Sequence, residues 1–128
     1  FSDYLEDKVL DHVFGGTAYT APGTLYVGLY TAAPSDSGGG TEVSGGSYAR
    51  KSMPAMTVSG TSPTEATNGA AVEFITATGS WGTVTHVGVF DASSSGNLLA
   101  WAALTASKTV SSGDVFRFDA GDLDITLA

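Results

Sequence analysis

The chain of 128 residues contains no cysteine. Disulfides, thiolate nucleophiles and cysteine-ligated zinc are therefore excluded, and the redox compartment is left open. Charge is also scarce: Asp, Glu, Lys and Arg make up 14% of the sequence, well under the roughly 25% of an average soluble domain. Basic residues number 5 against 13 acidic ones, for a net charge of −8, and the one adjacent basic pair is Arg50-Lys51. Nucleic-acid binding needs clustered cations to displace counterions, so no nucleic-acid partner is expected. No apolar run approaches the ~18–20 residues that span a bilayer. No charged-then-apolar signal segment opens the chain, and no membrane partner is expected. The two histidines, His12 and His86, do not stand at ligand spacing, which argues against zinc. Nucleophile-elbow, zincin and phosphate-cradling glycine motifs are absent as well. No cofactor, no metal and no enzymatic activity are expected.

What fills the sequence instead is Gly, Ser, Thr and Ala among 42% hydrophobic residues. Short polar side chains suit strands and tight turns, and they lose little rotamer entropy on contact. At this length one domain with a real core is expected.

Residues 3–14, DYLEDKVLDHVF, carry a helical stripe in which Leu5, Val9 and Val13 recur at four-residue spacing, widened by Leu10 and Phe14. Asp3 and Glu6 predict a capping-box start, and their charges suit the positive end of the helix dipole. Gly15-Gly16 predicts the stop. A helix of ~12 residues is marginal alone in water, so it must dock, either on its own sheet or on another subunit. The candidate docking residues are Leu5, Val9, Leu10, Val13 and Phe14.

From Thr24 the hydrophobic period changes to two, with Leu25, Val27 and Leu29 alternating with Tyr26, Gly28 and Tyr30. Residues 33–46 hold Pro34 and five glycines, which predicts a long flexible loop. Tyr48 to Val58 reads as a strand split or pushed to an edge by Pro54. Ala71 to Thr78 follows. Trp81 to Leu104 then reads as a hairpin closed by the turn formers of Asp91–Asn97. Shorter strands are expected at 108–110, 115–118 and 122–127. The segment Val27–Ala32, VGLYTA, is echoed by Val87–Ala92, VGVFDA, which reads as equivalent places in two sheets or as chance over a short stretch.

The expected fold is mainly β: a single-domain, two-sheet, jelly-roll-like sandwich over residues 17–128, with a docking helix within residues 1–16. Within it His12 reads as a cation at the helix C-terminus and His86 as a hydrogen-bonded strand residue. Asp119, Asp122 and Asp124 read as charges of a turn and an outer strand face. Tyr26, Tyr30, Tyr48 and Trp81 are candidate interface aromatics, against a core role for the same rings.

Five blocks of the chain together resemble small bacteriophage and prophage virion proteins that are often labelled tail-fibre proteins. They are S-D-Y-L-E-x-K-x-L-D-H-x-x-G-G-T-A-Y at Ser2–Tyr19, T-L-Y-V-G-L-x-T-A at Thr24–Ala32 and G-G-x-Y-A-R at Gly45–Arg50. W-G-T-V-T-H-x-G-x-F-D-A at Trp81–Ala92 and S-G-D-x-x-x-F-x-A-G-x-L-x-x-T-L at Ser112–Leu127 complete them. The resemblance implies a virion structural component and brings no active-site residues. A fibre usually needs a long shaft or connector, whereas a compact acidic domain with one dockable helix suits a clip-on unit. The expectation is therefore a capsid decoration, or cement, protein on the particle exterior. Its partners would be the major capsid protein and copies of itself, as a dimer or trimer. The alternative is a tail-fibre or tail-tip protein that recognises host-surface glycan, and a secreted carbohydrate-binding module is a third reading.

Overall fold

A computed structural model describes residues 1–127 of the chain. Ser2, not Asp3, starts the helix α1 (Asp3–Leu10): its hydroxyl accepts from the Leu5 N–H at 3.2 Å. The reason is burial. Ser2 is shut against the sheet, where its own N–H donates to the Leu99 carbonyl, while Asp3 stays in solvent. The α-helical hydrogen bonds give way after Leu10 to a wider π-helical turn over Asp11–Gly15. Gly16, at φ 79°, ends it in the left-handed conformation expected of a C′ glycine. The widened turn breaks the four-residue stripe. Leu5 and Val9 are half-buried, but Leu10, Val13 and Phe14 are exposed.

Ten strands follow. They are β1 (Leu25–Ala32), β2 (Thr41–Glu42), β3 (Lys51–Met53), β4 (Thr57–Ser59), β5 (Thr64–Thr67), β6 (Val72–Glu73), β7 (Gly82–Phe90), β8 (Leu98–Val110), β9 (Arg117–Phe118) and β10 (Asp124–Leu127). The largest sheet runs β2-β1-β7-β8, with β3 also pairing β1; β10-β5-β4 and β6-β9 form smaller sheets, and every pairing is antiparallel. The protein is thus a mainly β sandwich with an N-terminal helix. Pro54 does split its strand, since β3 and β4 lie on either side of it in different sheets. The hairpin β7–β8 forms as the sequence predicts, and β8 runs on through the short strand expected at 108–110.

Alternation along β1 and β7 sends Val27, Leu29, Val87 and Val89 into the space between the sheets. There they join Val84, Val110, Phe74, Phe116, Phe118 and Leu123. Trp81 belongs to this core, 4% exposed, with its indole N–H donating to the Gly46 carbonyl at 2.9 Å. Tyr48 packs against it, edge-on to Trp81 and stacked on Phe74. Both rings contribute area to the interior of this chain rather than to a surface platform.

The echo of VGLYTA in VGVFDA has a different origin from the one expected. β1 and β7 are neighbours in one sheet, and their pairing sets Gly28 opposite Gly88. Both glycines face away from the main core, where a Cβ on Gly28 would sit 2.8 Å from Phe90 Cε2 and one on Gly88 3.0 Å from Tyr30 Cε1. The missing side chains let Tyr30 and Phe90 lie across the outer face, stacked 17° from parallel. A second, smaller aromatic cluster therefore covers the sheet face turned away from the core.

The stretch 33–46 is tied down rather than uniformly loose. The Asp3 N–H donates to the Asp36 carbonyl, β2 pairs with β1, and Val43 is buried with its N–H on the Leu29 carbonyl. Glycine content alone predicts mobility there, but contacts from distant parts of the chain order the segment.

Candidate functional site

A densely bonded polar network lies on the outer face. Glu42 on β2 accepts from Arg50 twice, from Nη2 to Oε1 and from Nε to Oε2, both at 2.9 Å. Arg50 Nη1 also donates to the carbonyls of Ala92 and Ser95, and the guanidinium stacks 3.5 Å from the Phe90 ring centroid. One cation thus holds β2 and the β7–β8 turn onto the aromatic cluster. Such planar, forked bonding is available to Arg and not to Lys.

Tyr48 joins the same carboxylate: its hydroxyl donates to Glu42 Oε2 at 2.7 Å and accepts from the Leu29 N–H at 2.9 Å. Burial, then the hydrogen bond to Glu42, holds the phenol pKa well above its usual 10. A tyrosine whose pKa is raised by folding supports stability fully below the unfolded-state value and loses that support as pH rises above it. Unfolding free energy is therefore expected to fall once pH passes about 10, by roughly 1 kcal/mol over the first unit. Denaturant titrations of the wild type and Tyr48→Phe check this, with a shallower alkaline decline in the variant. Equal slopes would assign the decline to other groups.

Beside this network a depression of about 520 Å³ opens where three segments meet: the start of α1, the turn at 36–39 and the residues 95–98 that enter β8. Hydrogen bonds hold its walls, and one of them, from the Asp3 N–H to the Asp36 carbonyl at 2.9 Å, joins the start of α1 to the turn at 36–39. The Trp101 indole N–H donates to Asp36 Oδ1 at 2.9 Å, and the Asn97 backbone and side-chain N–H groups both donate to the Asp91 carboxylate. Tyr30 and Phe90 line it, together with Tyr4 and Arg50. A second, apolar cleft of about 450 Å³ lies between β8 and β10, lined by Met56, Leu104, Phe116 and Ile125 among others.

The candidate docking residues divide. Leu5 and Val9 turn towards the chain's own structure, α1 packing on β8. Leu10, Val13 and Phe14 project from the widened turn, 58%, 61% and 82% exposed. Among the candidate aromatics, Trp81 and Tyr48 belong to or pack on the core, Tyr30 is 5% exposed, and Tyr26 is half-buried on β1. No shared surface platform unites these four rings, because alternation in β1 and the core position of Trp81 send them to different places.

The remaining polar candidates have local roles. His12 Nδ1 accepts from the Tyr19 N–H at 3.0 Å. His86 is half-buried, with Nδ1 2.8 Å from the Thr85 hydroxyl. The Asp122 carboxylate accepts from the Asp119 N–H, and Asp119 accepts from Arg117, so both hold the turn before β10. Arg50 and Asp36, which anchor this region, stand out in the sequence only as half of a basic pair and as one turn former. Their partners lie as far as 65 residues away.

No helix is long and apolar enough to cross a membrane among the described residues. No curated protein matches the chain. A family described as Podophage GP4 fiber I protein gp80 matches residues 1–126. That match spans the helix, the outer-face network and every strand but the end of β10. The chain belongs to this family of phage fibre proteins and is a structural component of a virion.

Proposed function

We propose that the protein is a fibre subunit on the exterior of the particle that meets host-surface glycan, with copies of itself among its partners. The observation that carries this reading is the match to a fibre family over nearly the whole chain. The family description speaks of a fibre, and it lends no support to the capsid-decoration expectation, which rested on the compactness of the domain. The fold supplies what a non-catalytic recognition unit needs: loops cross-linked on a rigid sandwich, and exposed apolar side chains at one end of the helix.

Fibre and cement roles separate cleanly by experiment. Labelled antibody is expected to decorate the tails of purified particles, and soluble protein to compete with phage for adsorption. A deletion phage should keep the heat resistance of its heads and lose adsorption. Antibody on heads, with heat-sensitive shells and intact adsorption, would overturn the proposal in favour of a cement protein.

A further inference from the structure

We infer that the apolar cleft between β8 and β10 seats the exposed end of the N-terminal helix of a second copy, so that copies join head to tail. This deepens the fibre reading and rests on the part of it that counts copies of the chain among its partners.

Both surfaces are left uncovered by their own chain. β8 is the last strand of the largest sheet and β10 the last strand of the sheet β10-β5-β4, so two sheet edges flank the cleft. Beyond the Leu99 carbonyl, which takes the Ser2 N–H, the outer edge of β8 up to Thr109 makes no backbone hydrogen bond to another segment among the described residues. Such an open edge is a ready contact for another chain. The core residues Phe116, Phe118 and Leu123 line the cleft together with Leu104 and Ala106. Its volume of about 450 Å³ falls in the range that seats a cluster of apolar groups. The helix end supplies such a cluster, since Leu10, Val13 and Phe14 all stand in solvent. Contiguous apolar surface of a few hundred Å² on a soluble chain marks an interaction site.

Charge selects the occupant. A chain of net charge −8 repels its own copies wherever acidic surfaces meet. Lys108 lines the cleft on the β8 side and forms no ion pair among the described residues. Its ammonium lies 5.3 Å from the Phe116 ring centroid and 3.5 Å from the Val115 carbonyl. The other wall holds Asp122 and Asp124, and the Asp122 carboxylate already takes the Asp119 N–H. The cleft therefore suits an apolar segment that carries one carboxylate towards Lys108. Leu10-Asp11-His12-Val13-Phe14 is such a segment, and Asp11 likewise forms no ion pair among the described residues.

Two unlike surfaces meet in this contact, so it closes into a ring or continues as a filament instead of stopping at a twofold dimer. One helix end in one cleft is smaller than the ~1,200 Å² at the low end of stable interfaces. Free copies should therefore associate weakly, and repetition within the particle should hold them.

The test is sedimentation velocity of the full chain over a range of concentrations, where reversible self-association is expected. Leu10→Ser, Val13→Ser and Phe14→Ser together should abolish it, and so should Ala106→Asp alone, each change falling on exposed residues. A mixture of these two variants should form a 1:1 dimer, because one keeps an intact cleft and the other an intact helix end. Lys108→Glu should weaken association about tenfold, and Asp11→Lys in the same chain should restore most of it. Amide signals of residues 10–14 and 103–108 should shift as the wild-type protein is concentrated, which locates the contact even if a variant folds poorly. A chain that stays monomeric at every concentration reached, association that survives both variants, or variants that fail to pair on mixing would overturn the contact. If antibody marks the tails while the chain stays monomeric, the contact fails and the fibre reading stands. If copies join through these surfaces while antibody marks the heads, the contact stands and the fibre reading fails.

Discussion

Replacing Arg50 by alanine is expected to lower the free energy of unfolding by about 3 kcal/mol, read as a fall in the urea midpoint at unchanged slope. The substitution removes one partner of a pair whose side chains are 9% and 25% exposed, leaving the Glu42 carboxylate with a single donor, the Tyr48 hydroxyl. Deleting one member of a shielded ion pair costs several kcal/mol because the stranded charge keeps its desolvation penalty. Residual solvent access at Glu42 places this pair at the low end. Two carbonyls of the β7–β8 turn and the stack on Phe90 are lost in the same step. Arg50→Lys keeps the charge but not the fork or the stack, so it should recover only part of the loss. Glu42→Gln combined with Arg50→Ala should be less harmful than the sum of the single changes, since the stranded charge is gone. A loss below about 1 kcal/mol for Arg50→Ala would put the pair among ordinary surface salt bridges.

The difference between what could and could not be read from the residues follows the range of the interactions. The helix, its glycine stop, the β7–β8 hairpin and the break at Pro54 depend on neighbours a few positions apart. Period, turn formers and a missing backbone N–H report them directly. The ordering of residues 33–46 does not. It comes from Glu42 meeting Arg50, Val43 meeting Leu29, and Asp36 meeting both Asp3 and Trp101. No local composition encodes those meetings. Tyr30 shows the same limit from the other side. Alternation places it opposite the aliphatic face of β1, as if in solvent, but Gly28 and Gly88 clear enough room for it to be buried against Phe90. The VGLYTA echo carried the relevant signal, a glycine two residues before each aromatic, which acquires meaning only once β1 and β7 are known to pair. Aromatic residue type cannot tell a core ring from an interface ring, and so Trp81 and Tyr26, alike as candidates, lie in different environments.

Changing Leu10, Val13 and Phe14 together to serine is expected to leave the isolated chain nearly as stable as before and to reduce its incorporation into particles strongly, if the helix end is a docking surface. The three side chains are 58%, 61% and 82% exposed, so the folded monomer has little contact to lose there. Surface changes of this kind usually move stability by no more than about 0.5 kcal/mol each. Burial of one such side chain in an interface is worth roughly 1.5–3 kcal/mol when complete. A loss of even about 4 kcal/mol from all three corresponds to a roughly thousandfold weaker contact. The helix itself should remain docked. Ser2 still caps it and bonds to Leu99, Leu5 and Val9 stay half-buried, and α1 still packs on β8. Leu5→Ala supplies the contrast, expected to destabilise the monomer while leaving the exposed end of the helix unaltered. Immunoblots of purified particles, from a deletion phage complemented by each variant, measure incorporation, and denaturant unfolding measures the fold. Wild-type incorporation of the triple variant would remove the helix end from the assembly contact. A large loss of monomer stability would show instead that the three side chains pack on their own chain.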